Sequence, residues 1–204
     1  DANTNRFYFS ADDGQTWPAL NFQTAEDFPN SLVNLVIDHC ELWLFGNRNT
    51  QPFGVGSDPD APFIHVGSGH IEMGLAAKNA VCRLDNSIFW LGRNKDGEGI
   101  MWRANGYSPQ QVSNSAVENI WQTYPTMDDA TMQTFQLNSS CLRITFPSAN
   151  SGLGATWEYD VKVGPANGWT ELAWWNMKLN RYERHRGNCY VSAFGKILVG
   201  DHGN

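Results

Sequence analysis

The stretch Asn34-Leu35-Val36-Ile37-Asp38-His39-Cys40-Glu41-Leu42-Trp43-Leu44-Phe45-Gly46 runs apolar, turns through polar residues, runs apolar again and stops at glycine. Ala80-Val81-Cys82-Arg83-Leu84-Asp85-Asn86-Ser87-Ile88-Phe89-Trp90-Leu91-Gly92 repeats that order almost residue for residue. Looser copies lie at 135–146 and 190–200. Each copy carries β-branched and aromatic residues on both arms of a short turn built around Asn, Asp, Gly or Ser, which is a hairpin signal with its own turn chemistry.

The last apolar residues before the turns are Ile37, Leu84, Leu137 and Phe194, which lie 47, 53 and 57 residues apart. Several strands per period of roughly 40 to 50 residues are the signature of β-propeller blades. Shorter apolar runs at 100–103, 111–113, 156–161 and 169–172 supply further strands, and only 114–122 reads as a helical turn. A sandwich would also give many short strands, but not one hairpin recurring at intervals. The expected fold is therefore all-β and β-propeller-like. It has about four blade-type repeats in a single region, 1–204, that forms part of a larger propeller. The alternative is closure as four blades, with 6–10 pairing against the 196–200 hairpin.

Charged residues make up 17% of the 204-residue chain and aromatic residues 13%, with nine Trp. Average soluble domains carry about 25% charge. Such a balance fits faces covered by neighbours or an aromatic all-β core. The formal charge of −7 opposes binding to nucleic acid through a general basic field, so any DNA contact would be local or steric. Cys40, Cys82, Cys141 and Cys189 are far apart with no CxxC pair, which suggests neither a zinc site nor a disulfide framework and makes a reducing compartment the default. No apolar run approaches the ~18 residues of a membrane span, and the start lacks both Met and a signal-peptide core. The sequence reads as soluble and as an excerpt of a longer chain.

At 10–17 the sequence SADDGQTW matches S-x-D-x-G-x-T-W, the Asp box. Ser10, Asp12, Gly14, Thr16 and Trp17 read as a turn device. Asp12 accepts hydrogen bonds from turn amides, Gly14 takes a positive φ, and Thr16 and Trp17 restart a strand with the indole wedged between neighbours. This scaffold reading outweighs a catalytic role for Asp12 and Asp13. A glycosidase would need two carboxylates flanking a sugar, for which Glu72, Glu118 and Glu158 are nominal candidates without a motif. His65 and His70, with Glu72 beyond, read as a glycine turn before a metal site. The stretch 94–99 reads as a hairpin turn joining Leu91 to Met101, since no Glu stands at the twelfth position of a calcium loop. The one locally basic stretch is 178–186, after Trp174-Trp175, where Lys178, Arg181, Tyr182, Arg184 and Arg186 could hold phosphates or an acidic partner surface, or form an interblade loop. No catalytic residue, cofactor site or metal site is assigned.

The segments 58–63, 74–81, 84–93 and 103–110 strongly resemble the packaged-DNA stabilisation protein of short-tailed phages, the tail accessory factor or tail hub. The likeness extends through 41–46 and 145–147 to 181–190, while 138–143 and 151–167 look less like the family and read as altered loops. The resemblance implies a non-enzymatic virion component of the tail, assembled in the host cytoplasm. It would form a homo-oligomer, a hexameric ring, docked below the portal on its adaptor protein. It would carry the tail needle and tailspike proteins and confine packaged DNA mechanically, without contact to a membrane. The competing reading is a sialidase-like carbohydrate-binding or glycoside-hydrolase propeller.

Overall fold

The structure, a computed structural model, describes residues 4–10, 12–25, 30–67, 69–93, 97–136 and 138–203. A first antiparallel pair joins β1 (Arg6–Tyr8) to β2 (Phe22–Thr24). Three antiparallel sheets follow in chain order. The first is the meander β3 (Leu32–Asp38), β4 (Glu41–Gly46), β5 (Thr50–Val55) and β6 (Phe63–His65). In the second, β7 (Gly74–Leu75) and β8 (Val81–Leu84) pair along one edge of β9 (Ser87–Arg93) as a single interrupted strand, and β10 (Glu98–Arg103) and β11 (Gln110–Gln111) continue the sheet. The third is β12 (Thr131–Gln136), β13 (Ser140–Phe146), β14 (Ala155–Asp160) and β15 (Trp169–Glu171). Two hairpins complete the described chain, β16 (Ala173–Asn176) with β17 (Arg181–Arg184) and β18 (Gly187–Ala193) with β19 (Lys196–Asp201).

The repeat read from the sequence corresponds to β3–β4, β8–β9, β12–β13 and β18–β19. Three of these hairpins turn through two residues, as the pairs Asp38↔Glu41, Leu84↔Ser87 and Ala193↔Lys196 require. Both central residues take positive φ in each: His39 and Cys40 (47° and 63°), Asp85 and Asn86 (50° and 55°), Phe194 and Gly195 (54° and 68°). That is the turn whose twist matches two antiparallel strands. The third hairpin closes by the longer connection Gln136↔Ser140, and Leu137 lies outside the described residues. So do positions 94–96 of the expected 94–99 turn, although β9 and β10 pair on either side of it.

The cores sit between successive sheets, and β9 faces two of them. Its side chains alternate with the period of two that a strand imposes. Ile88 and Trp90 pack with Trp43, Phe45 and Leu75, whereas Phe89 and Leu91 join Leu142, Ile144 and Phe146 of the third sheet. Trp90 meets Phe45 edge-on at 5.6 Å. First and second sheets approach so closely that a Cβ at Gly74 would collide with the backbone of residues 46–48. Between the second and third sheets lies helix α1 (Ser115–Trp121), capped by Asn114, whose side chain accepts from the Val117 amide at 3.1 Å. Its Trp121 is fully buried against Phe146, Trp157 and Trp169.

Several expectations are corrected. β1 pairs with β2 and β19 with β18, so the alternative in which 6–10 closes a four-bladed ring against 196–200 does not hold. The segments expected to be altered loops, 138–143 and 151–167, carry the start of β13 and all of β14. The basic stretch 178–186 is no interblade loop: it forms the turn and second strand of β16–β17 and continues into β18–β19.

Trp90→Ala should remove about 3–5 kcal/mol of unfolding free energy in urea titrations, the usual cost of emptying a buried aromatic site, while Ile88→Val should cost about 0.5–1.5 kcal/mol. Equal, small losses would contradict the view that β9 is clamped between two sheets.

Candidate contact surface

Strand alternation and hairpin geometry decide what the basic stretch can offer. β16 and β17 are joined by a four-residue turn at 177–180, closed by Asn176, whose Oδ1 accepts from the amides of Lys178 and Leu179 at 3.0 and 3.2 Å. Asn180 takes the left-handed φ of 49°. Arg181 and Glu183 lie two apart on β17 and so share a face, and the guanidinium of Arg181 forks onto Glu183 Oε1 at 3.0 and 2.9 Å. Asn176 and Arg181 together hold the Glu183 carboxyl below its ordinary value.

Arg184 is a half-buried guanidinium that donates to Asn188 Oδ1 at 3.0 Å, and desolvation lowers its pKa. Arg186 pairs with Asp201 across β18–β19 and lies over the Trp174 ring at 5.1 Å. Three of the four arginine and lysine side chains are thus engaged within the chain, leaving Lys178 at the exposed tip. Around it stand Trp175, Met177, Leu179 and Tyr182, all exposed, with Met177 at 84%. Trp175 and Tyr182 brace each other edge-on at 4.9 Å. The surface is an apolar finger with a cationic tip rather than a phosphate cradle.

The connection to the rest of the fold runs through a residue that the sequence reading left aside. Arg143 on β13 binds Glu158 at 2.7 Å, donates to the Tyr190 hydroxyl at 2.8 Å and lies over Phe135 at 4.4 Å. Phe135 and Tyr190 are stacked at 6.0 Å. This network fastens β18 to the third sheet. His185 sits beside it, its Nδ1 accepting from the Gly187 amide at 3.0 Å. Burial, then the Arg143 charge, pushes the His185 pKa down. A second cross-sheet contact was also missed: Asp38 holds Arg83 and His39 at 2.8 Å each, and His39 reaches Asn86 of the next hairpin turn at 3.1 Å.

The Asp box is a compact turn. The Asp12 carboxylate accepts from Ser10 Oγ at 2.5 Å and from the amide and hydroxyl of Thr16 at 2.8 and 2.6 Å. The Gly14 amide donates to Ser10 Oγ at 2.9 Å, and Gly14 takes φ 83°. These hydrogen bonds, that from Ser10 first, lower the Asp12 pKa to about 2. Trp17 departs from its expected place: its indole is 62% exposed, and no strand restarts there.

The nominal carboxylates do not converge. Glu158 binds Arg143, and Glu118 accepts from Gln111 and Ser113 at the start of α1. His65 stands edge-on to Phe53, and the Gly69 amide closes a turn on Val66 O at 2.7 Å. Among the described residues no group of three His, Cys, Asp or Glu is placed to hold a metal ion. The four cysteines are free thiols.

Two titrations test these local environments. Carboxyl-carbon NMR should find Asp12 ionised down to about pH 2. The turn's contribution to stability, present above the ordinary value of 3.8, should fade as pH falls through about 2 and be absent in Asp12→Asn. His185 has a depressed folded pKa, so its contribution is present above the ordinary value of 6.5 and is lost on acidification. The protection factors of the β18 amides, which remove the intrinsic pH dependence of exchange, should therefore fall below pH 6.5, and His185→Gln should flatten that dependence.

A family model described as Bacteriophage P22 Gp10, beta-propeller, matches residues 2–204. No curated protein sequence matches the chain. The family accounts for the serial antiparallel sheets and gives the chain the character of a phage structural protein concerned with DNA stabilisation. The chain belongs to this family of phage-stabilising β-propellers.

Proposed function

We propose that the chain acts in the tail hub that closes the phage head after packaging, as a non-enzymatic part of the virion that keeps DNA inside by obstruction. The observation that carries this reading is the family match along 2–204. The physical character of the molecule supports it. Sheets locked by large aromatic residues resist deformation, because close-packed interiors transmit strain instead of absorbing it. The arginines of the basic stretch are mostly tied to partners in the same chain, which suits steric confinement better than a groove gripping phosphates.

In this role the exposed apolar finger meets other virion proteins: the portal adaptor, the tail needle, the tailspikes and further copies of the chain in a hexameric ring. Assembly takes place in the host cytoplasm, and the mature location is the tail. The Asp box and the residues Lys178, Arg181, Tyr182, Arg184 and Arg186 act as scaffold and partner contact respectively.

Particles assembled without the protein should package DNA to normal levels and then lose it, seen as genome becoming nuclease-sensitive after packaging stops. Adding the purified full-length protein should restore protection. Particles that retain their DNA without it would refute the role.

A further inference from the structure

A cavity of about 460 Å³ opens between β2 and the β5–β6 edge, lined by Phe22, Phe53 and Phe63 with Gln51 and Asp60 among its polar groups. That volume lies within the range of about 300–1,000 Å³ in which proteins seat small ligands. Its wall is tied in place: the Gln23 side chain donates to Phe63 O at 2.8 Å and accepts from the Phe63 amide at 3.1 Å, joining β2 to β6. A wall fixed in advance lowers the ordering cost of binding. Gln51, opposite Leu44 inside the first sheet, is 2% exposed, and its Oε1 has no hydrogen-bond partner among the described residues. Buried acceptors are nearly always satisfied, so this oxygen asks for a donor from outside the chain.

The surroundings decide which donor fits. Phe22 already carries the Arg6 guanidinium over its ring at 4.7 Å, so an incoming ammonium meets like charge there. An anion meets the Asp60 carboxylate in the lining of a chain with a formal charge of −7. The fitting ligand is therefore neutral, with several hydroxyl donors and an apolar face to set against phenyl rings. A pyranose has both: hydroxyls to donate to Gln51 Oε1 and the Asp60 carboxylate, and C–H bonds that rest on the negative face of an aromatic ring. Phe22 and Phe63 are half-buried and present part of their rings to the cavity, while Phe53, 5% exposed, backs them. Asp60 stands in the loop leading to β6, where its amide donates to Asp58 Oδ1 at 2.9 Å.

We propose that the cavity between β2 and β5–β6 binds a neutral pyranose, one hydroxyl donating to Gln51 Oε1 and a second to the Asp60 carboxylate while the C–H face of the ring rests on Phe63. Recognition is the same for a free sugar and for a sugar unit of a glycan. The site binds and does not cleave: Asp60 is the one carboxylate of the described lining, whereas glycoside hydrolysis uses a pair. It is built from residues other than those of the β16–β17 finger and is additional to the obstruction of DNA exit, so its failure leaves the tail-hub reading untouched.

The experiment titrates the purified chain with the methyl glycosides of glucose, galactose and mannose and follows its amide NMR signals. At least one glycoside should bind with a Kd of about 1–10 mM, the weak range of a small ligand in an open site, and shift the Gln51 side-chain amide and the Phe63 backbone amide. Gln51→Leu should weaken binding about tenfold or more and raise the urea midpoint, because it removes a buried acceptor that the free protein leaves unpaired. Asp60→Ala, on an exposed loop, should weaken binding about tenfold with the midpoint unchanged. Dextran, galactan and mannan distinguish the sources: competition by the polymer assigns a glycan unit, binding of the glycoside alone a free sugar, and either result supports the site. Three results would overturn it. They are no shift of these amides at ten times that concentration, a Gln51→Leu variant that binds like wild type or has a lower midpoint, and tighter binding of butylammonium or glucuronate than of every neutral glycoside.

Discussion

The central strand β9 is buried on both faces, and most of the architecture follows from that. A strand in a sheet exposed to water on one side alternates apolar with polar residues; Ser87-Ile88-Phe89-Trp90-Leu91 does not, because Ile88 and Trp90 belong to one interface and Phe89 and Leu91 to another. Fully burying side chains of this size is worth roughly 1.5–3 kcal/mol each, and here the stack of sheets, with α1 in one of the interfaces, offers two dry faces to the same strand. The stacking then constrains its neighbours. Glycine is required at 74, where the first sheet's backbone passes, and at 92, where the Trp102 ring lies over the chain.

This double burial is also why the fold was legible. Apolar residues on both arms of a hairpin, recurring along the chain, announce strands that need cover on both sides, and Asp85, Asn86 and Gly195 are residues suited to the positive φ their turns require, whereas Phe194 is not. His39-Cys40 adopts the same turn without that advantage. Its turn is held instead by contacts from His39 to Asp38 and Asn86, which no local pattern reveals, because Asn86 is 47 residues away. The interruption between β7 and β8 was equally hidden, since the repeat read from the sequence begins at Ala80 and the two-residue strand at 74–75 carries no pattern of its own. Trp17 was misplaced for a related reason: the motif specifies the turn, while burial of its last residue depends on which sheet stands opposite.

The contact surface was half legible. A run containing Lys178, Arg181, Arg184 and Arg186 reads as a positive patch when charges are counted along the chain. Once 181–184 is a strand, the spacing of two puts Arg181 and Glu183 on one face and cancels them, a step the sequence permits. The pairing of Arg186 with Asp201 depends on the β18–β19 register and was not accessible in the same way. What remains after cancellation is apolar area, and the sequence had signalled that in its high aromatic and low charged fractions.

Stability should therefore be graded along the chain. The second sheet is covered on both sides by dry aromatic packing, whereas β18–β19 is fastened largely through Tyr190, Arg143 and Phe135 and leaves Val191, Leu198 and Val199 exposed. Regions with fewer buried contacts and more exposed backbone hydrogen bonds open at lower free energy than the core. An apolar strand left with an exposed edge is also a template for further pairing. The same property that makes the middle of the chain a stiff wall, apolar residues on both faces of strands such as β4 and β9, makes its last hairpin dependent on an additional surface. The rigid and the associating parts of the molecule are thus one kind of sequence in two degrees of cover.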